Sequence, residues 1–304
     1  MIYLSDISQF HHDASTVVTI GKFDGLHRGH QALMKRTIDL THKANDSRTA
    51  AVAVILDTAE KGLLTKSERA GMIGDEGFDY LLELPLSEDI RSLTAAAFVE
   101  DILIKRLKAE SVVIGRDFRF GYGRHGDAAF LTAWGRDRGF SVEAVPDVTD
   151  DGIRISSTLI RRCLSDGQIE RVNRYLGYRF SFTGPVIHGT HIGRTIDVPT
   201  ANIVPSDDKL LPPRGVYVSL STAGGKTYRG MTNIGVKPTV NGSQLGIETH
   251  IFDFSGDLYG QEMKVELLHF ARPESDFSSL DILKERLRKD KAETIEWFDK
   301  NGGF

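Results

Sequence analysis

Two spacings of apolar residues divide the chain. In the first half, short β-branched runs alternate with stretches of helical spacing. Val17-Val18-Thr19-Ile20 reads as a strand buried on both faces. A glycine-bearing turn follows from Gly21 to Gly29. From His30 to about Ala44, Leu33, Met34 and Ile38 fall at helical intervals. Ala51 to Leu56 reads as a second buried strand. Thr94 to Ala109 is amphipathic, with Phe98, Ile102 and Leu103 on one stripe and Thr94 placed to cap it. Val112-Val113-Ile114 and Phe140 to Val145 are further strand candidates. Such alternation predicts a parallel sheet with helices on its faces. Helical spacing returns from Ser156 to Leu176 through Ile160, Leu164, Ile169, Val172 and Leu176, with a break expected at Gly167.

The texture changes after Gly177. From Arg179 to Leu268, strand-like runs are separated by Gly184, Gly189, Pro199, Pro212-Pro213, Gly224-Gly225, Asn241-Gly242 and Ser255-Gly256. That pattern predicts an antiparallel barrel or sandwich. Leu280 to Phe298 is helical again through Leu283, Leu287 and Ile295. The change of texture puts a domain boundary near 178–183.

Composition narrows the class. A chain of 304 residues is long enough for two domains of about 100–200 residues each. With 40% hydrophobic and 26% charged residues it is neither disordered nor collagen-like. A formal charge of −4 argues against coating nucleic acid, and leaves room for a small anionic ligand held by local donors. Cys163 is the single cysteine, so no internal disulfide forms and a cysteine-based zinc site is not expected. Met1 to Asp13 lacks the basic start and apolar run of a signal peptide. No apolar run approaches the roughly 20 residues that span a bilayer. The expected location is the cytoplasm, with no membrane or nucleic-acid partner.

The strongest chemical signal is Gly21-Lys22-Phe23-Asp24-Gly25-Leu26-His27-Arg28-Gly29-His30, between a strand and a helix. A helix N-terminus there offers N–H groups and a positive dipole end to phosphate. Gly29 permits close approach, and His27 and His30, three apart, face the same way. Two imidazoles at that place can stabilise charge developing on an α-phosphate. A solvated surface turn is the blander alternative. The segment resembles the H-x-G-H motif of the nucleotidyltransferase superfamily, and its longer form G-x-F-D-G-x-H-x-G-H resembles the prokaryotic bifunctional FAD synthetases. Gly115-Arg116-Asp117-Phe118-Arg119-Phe120-Gly121 resembles that family's G-x-D-F-R-F-G stretch. Ile155-Ser156-Ser157-Thr158-Leu159-Ile160-Arg161 resembles its I-S-S-T-x-I-R signature. Taken singly, the last two read as an ordinary loop and an ordinary helix cap. The three occur in family order.

A second set lies in the β-rich half. Gly193-Arg194-Thr195-Ile196-Asp197-Val198-Pro199-Thr200-Ala201-Asn202 resembles the flavokinase signature ending in P-T-A-N. The hydroxyl of Thr200 and the amide oxygen of Asn202 are hard ligands suited to Mg²⁺. Glu248, in Gly246-Ile247-Glu248-Thr249-His250, shares a strand face with His250, opposite Ile247 and Thr249. A carboxylate there can take the proton of an accepting hydroxyl, or it is simply a solvent-facing glutamate.

The resemblance spans about Thr19 to Asp290. It implies a Rossmann-like α/β nucleotidyltransferase domain with a parallel sheet at 1–180. A small antiparallel β-barrel flavokinase domain with a C-terminal helix is implied at 181–304. The implied activity is phosphorylation of riboflavin to FMN with ATP, then adenylylation of FMN to FAD with release of pyrophosphate. Riboflavin, FMN, FAD and ATP are the implied partners and Mg²⁺ the cofactor. Glu248, His27 and His30 are then the catalytic residues. Gly21, Phe23, Asp24, Gly29, Asp117, Ser157, Thr158, Arg161, Gly193, Arg194, Thr200 and Asn202 contact nucleotide or flavin, with Thr200 and Asn202 also on the metal. Two departures stand out. Leu56-Asp57-Thr58-Ala59-Glu60-Lys61-Gly62 replaces an F-x-P-H-P-type loop, and Asp197-Val198 replaces a glycine and an aromatic. They leave two alternatives open, a riboflavin kinase with a degenerate first domain and a flavin-binding regulatory protein.

Overall fold

The computed structural model describes residues 1–57, 60–188, 200–239 and 242–302, and divides into two compact units, Met1–Ser157 and Thr158–Phe304. The first unit is built on a parallel sheet of β1 (Ile2–Leu4), β2 (Thr16–Gly21), β3 (Ala50–Asp57), β4 (Tyr80–Pro85), β5 (Ala109–Gly115) and β6 (Ser141–Val145), in the order β1-β4-β3-β2-β5-β6. Residues 16–20 and 50–55 are buried throughout, as expected of central parallel strands with both faces covered. One face packs Val18, Ile20, Val52, Val54, Leu82 and Val112 against Phe98, Ile102 and Leu103. α1 (Arg28–His42) buries Leu33, Met34 and Thr37, and α2 (Lys66–Asp75) starts at a Thr65/Glu68 capping box.

The chain steps from β2 outward to β3 and β4, then crosses to the other side of β2 to lay down β5. The strand order therefore reverses between β2 and β5. In an open α/β sheet the crevice at the carboxyl ends of such a pair is where ligands bind. The turns that leave β2 at Gly21 and β5 at Gly115 flank this crevice.

The expected strands and helices of this half are present. The helix expected over Thr94 to Ala109 is capped by Thr94, whose hydroxyl accepts from the Ala97 amide at 3.1 Å. It makes one α-helical stretch (α3, Ala95–Ala97) and continues as π-helical turns from Phe98 to Arg106. Lys108, at φ 51°, then reverses the chain into β5. Elements not read from the pattern include α2, the helix at Ala128–Arg138, the short exposed edge strand β1, and β4. In β4 the apolar run Tyr-Leu-Leu-Glu-Leu is broken by Glu83, which is itself buried.

The second unit opens with two short helices, α4 (Ser157–Ser165) and α5 (Ile169–Leu176), broken at Gly167 (φ 73°) as expected. Six antiparallel strands follow: β7 (Ser181–Pro185), β8 (Ala201–Ile203), β9 (Gly215–Ala223), β10 (Lys226–Thr239), β11 (Gly242–Ile251) and β12 (Glu262–Pro273). Their order is β8-β11-β10-β9-β12-β7. The Ile187 amide donates to the Asn202 carbonyl at 2.8 Å and joins the two ends into a nearly closed barrel. Alternation sends Tyr217, Ser219, Thr232, Ile234, Ile247, Thr249, Val265 and Leu267 to one fully buried side. There Ser219, Thr232 and Thr249 form a hydroxyl ladder with spacings of 2.7 and 2.8 Å. On the other side Val218, Leu220 and Leu268 pack against Phe298 of the final helix α6 (Leu280–Asn301).

The division between compact units falls before the texture change at 178–183. The reason lies in α5, where the Asn173 side chain donates to the Leu267 carbonyl (2.8 Å) and accepts from the Phe180 amide (2.7 Å), tying the helix pair to the barrel. Among the described residues no helix is long and apolar enough to cross a membrane.

Phe298→Ala removes the ring that seals Val218, Leu220 and Leu268. A loss of roughly 3–5 kcal/mol is expected, measured by urea unfolding followed through the fluorescence of neighbouring Trp297. A loss below about 1 kcal/mol would show that α6 is not docked through this ring.

Candidate active sites

The turn from β2 to α1 departs from ordinary backbone geometry. Phe23 (φ 49°), Gly25 (φ 80°) and Leu26 (φ 37°) are all left-handed, and two of them carry side chains. Such strain persists only where the surroundings over-determine it. The Phe23 ring is fully buried, edge-on to His30 at 5.3 Å, and a Cβ added at Gly21 would lie 3.2 Å from it. The Asp24 carboxylate accepts from the Leu63 amide (2.8 Å) and the Asp24 carbonyl from the Ser157 hydroxyl (2.9 Å). Gln31 donates to the Leu26 carbonyl at 2.8 Å.

This turn fixes the two histidines. His27 is the N-cap of α1, and its Nδ1 accepts from the backbone amides of Gly29 (3.2 Å) and His30 (3.4 Å). An Nδ1 that accepts has no proton, so the neutral ring carries it on Nε2. A side chain at Gly29 would meet the His27 ring at 3.1 Å, so glycine lets the cap close. The His27 and His30 rings stack 3.7 Å apart. Burial pushes the His27 pKa down to about 4 against the pull of Asp24. Burial, and then its neighbour His27, hold His30 well below the usual histidine range. Both rings are neutral at pH 7. The first-turn amides of Gly29 and His30, expected to be open to phosphate, are instead engaged by His27; the donor the turn presents is an imidazole N–H.

Across the crevice, Asp117 follows β5 and pairs with Arg154 (2.5 Å), which also reaches Asp147 (3.1 Å). Arg154 and Asp147 escaped the sequence reading, although Arg154 lies just before the Ile155-Ser156-Ser157-Thr158 run. Ser157 joins the turn through Asp24. Thr158 and Arg161 stand on α4, in the second unit, with Thr158 exposed. Of the substituted loop, Thr58 and Ala59 lie outside the described residues. Its far end closes on Asp24, where a Cβ at Gly62 would come within 2.5 Å of the Leu64 carbonyl and 3.4 Å of the Asp24 carboxylate.

In the barrel unit, the register sets Asn202 opposite Glu248 and Glu248 opposite Asn233, a polar row across β8, β11 and β10. The Thr200 hydroxyl donates to the Glu248 carboxylate at 2.5 Å. The structure thus brings Thr200, Asn202 and Glu248 together and adds Asn233. Glu274 closes over the row, since a Cβ at Gly235 would fall 2.2 Å from its carboxylate and 3.1 Å from the Asn233 amide. Arg272 holds the buried Asp290 of α6 through two bonds, of 2.9 and 2.6 Å. Gly193, Arg194 and the departure at Asp197-Val198 lie outside the described residues.

A family model for FAD synthetase matches residues 9–159 and one for riboflavin kinase matches residues 176–298. The bifunctional riboflavin kinase/FMN adenylyltransferase of Escherichia coli strain K12 is 37% identical over 294 residues, 93% of this chain and 92% of the relative. This chain belongs to the bifunctional riboflavin kinase/FMN adenylyltransferase family. The enzyme of the same name from Listeria monocytogenes is 34% identical over 297 residues, covering 95% and 94%. A crystal structure described as a macrolide-efflux protein from Streptococcus pneumoniae has the same fold, with a TM-score of 0.85 and 31% identity over 97% of this chain and 99% of that one. Within the family frame, the FAD synthetase match contains His27, His30, Asp117, Ser157 and Thr158. The riboflavin kinase match contains Thr200, Asn202, Asn233 and Glu248, and Arg161 falls between the two.

The depressed pKa of His27 fixes a pH dependence. Between the ordinary value near 6.5 and about 4, the unfolded chain binds a proton that the folded chain does not. Stability therefore falls as pH drops through that window. His27→Asn keeps a capping side chain and removes the titration. The variant should lose less stability than the wild type between pH 6.5 and pH 4, as read by denaturant unfolding at each pH. Equal losses would place the His27 proton elsewhere.

Proposed function

We propose that this protein makes FMN from riboflavin in its β-barrel domain and FAD from FMN in its α/β domain. The observation that carries the first reaction is the Thr200–Glu248 pair beside Asn202. Glu248 takes the proton from the 5′-hydroxyl of the ribityl chain as that oxygen attacks the γ-phosphorus of ATP, and ADP leaves. Thr200 holds the carboxylate in place with its hydroxyl proton and keeps lone pairs for a cation, so one side chain serves both.

A hard cation fits this donor set of hydroxyl, amide and carboxylate oxygens. Among the described residues no group of three or more acidic, histidine or cysteine side chains could hold a metal by itself. Mg²⁺ would therefore sit on Thr200 and Asn202 with most of its ligands from ATP and water. It would supply neutralisation of charge on the transferring phosphoryl group.

In the second reaction a phosphate oxygen of FMN attacks the α-phosphorus of ATP, the bond to the β-phosphate breaks, and pyrophosphate leaves. His27 presents a neutral Nε2–H, which stabilises developing negative charge without a proton having to be taken up first. Asp117, Ser157, Thr158 and Arg161 are assigned to nucleotide contacts, with Gly193 and Arg194 in the same role in the kinase domain. The substituted loop at Leu56–Gly62 favours a second reading, a riboflavin kinase whose first domain no longer transfers AMP. The intact histidine cap supports the bifunctional one. The weak net charge and the single buried Cys163 support a cytoplasmic enzyme acting on free flavins.

Chromatography of flavins after incubation with riboflavin, ATP and Mg²⁺ tests the reading, with FMN and then FAD expected. Glu248→Gln should slow FMN formation by about 10²–10⁴-fold and leave FAD formation from supplied FMN intact. His27→Ala should do the reverse, cutting FAD formation by about 10²–10³-fold while FMN accumulates. FMN formation near the wild-type rate in Glu248→Gln would refute the base assignment. Absence of FAD from wild-type protein given FMN would select the monofunctional reading.

A further inference from the structure

Glu83 is out of place on hydrophobic grounds. It interrupts the apolar strand β4, is 5% exposed, and Ile55 of β3 pairs with both Glu83 and Gly21. Gly21, Ile55 and Glu83 thus form one row across the carboxyl end of the sheet. From α2, Arg69 donates to Glu83 at 2.9 Å and Lys66 at 3.2 Å. The Tyr3 hydroxyl bonds the same carboxylate, and burial together with that bond pushes its pKa up to about 12. Arg69 also donates to the main-chain carbonyl of Lys22 at 3.4 Å, while its Nε is buried with no partner. A buried ion pair is a poor device for stability alone, because desolvation offsets most of the attraction. An apolar residue at 83 would extend the Leu81-Leu82-Leu84 run. What this pair does that an apolar one could not is to put a rigid, two-pronged donor under the peptide that enters the strained turn.

We infer that Arg69, held by Glu83, is a positioning residue for FMN adenylylation: it clamps the Lys22 carbonyl and so sets the turn that aims His27 and His30. The inference rests on the proposed adenylyltransferase reading. Lys22 is followed directly by left-handed Phe23, and the chain from Phe23 to Leu26 carries both the ring that packs on His30 and the entry to the His27 cap. A planar guanidinium can bridge carboxylate and carbonyl at once; a lysine ammonium on a flexible stem keeps the charge beside Glu83 without the fixed fork.

Arg69→Lys is therefore the discriminating variant. It should lower kcat for FAD formation from FMN by about 10–100-fold while KM for FMN and ATP stays within about twofold, because the lost interaction belongs to the transition state. Riboflavin phosphorylation by the same chain should keep its rate, which reports intact folding of the preparation. Hydrogen exchange should quicken in peptides covering residues 22–30 and not in those of the sheet. Glu83→Gln should reproduce the kcat loss if it folds; if it does not, Arg69→Lys alone carries the test. A wild-type kcat in Arg69→Lys, or unchanged exchange at 22–30, would overturn the inference. If wild-type protein forms no FAD, the adenylyltransferase reading fails on its own, and the exchange measurement still decides whether Arg69 sets the turn.

Discussion

A turn held against its own backbone preference underlies the chemistry of the first unit. Between Phe23 and Leu26 the chain takes left-handed conformations that side chains other than glycine resist. It stays there because groups along it are engaged: the Lys22 carbonyl by Arg69, Asp24 by Ser157 and Leu63, the Leu26 carbonyl by Gln31, the Phe23 ring by the core. Asp24 and Ser157 are 133 residues apart in sequence, so the turn is made by the whole unit. The outcome is a cap in which the buried His27 gives up Nδ1 to the helix and keeps its proton on Nε2. Burial then makes the neutral form the stable one. A neutral ring brings no titrating charge into the turn near pH 7.

The barrel unit fixes its polar row by another route. Strand alternation gives its interior to Ile247 and Thr249 and turns Glu248 to the opposite side. A slip of one residue would send Glu248 inward. The buried ladder of Ser219, Thr232 and Thr249 resists that slip, since each hydroxyl finds its partner in this register alone. The polar row Asn202, Glu248, Asn233 is thus a consequence of how the barrel is filled. The oxygens of that row are of the hard type that suits a divalent cation.

Much of this was legible in the sequence because it is periodic or punctuated. Central strands such as Val17–Ile20, the break at Gly167 and the glycine-punctuated barrel follow from rules that act over a few residues. What was not legible depends on partners distant in sequence. β4 was obscured by Glu83, which is buried only because Arg69 and Lys66 come from α2 to meet it. α1 starts at Arg28, before His30, because an imidazole took the capping role that Ser, Thr, Asp or Asn usually fill. Arg154, anchored by Asp117 and Asp147, has no local signature.

The protonation state of His27 decides whether the turn presents a neutral donor. Nitrogen-15 NMR of protein labelled at histidine reads tautomer and charge directly as pH is lowered. The account predicts a His27 ring that is neutral at pH 6, with its proton on Nε2 and Nδ1 bare, and that becomes cationic only near pH 4. A His27 already cationic at pH 6, or one protonated on Nδ1, would contradict it.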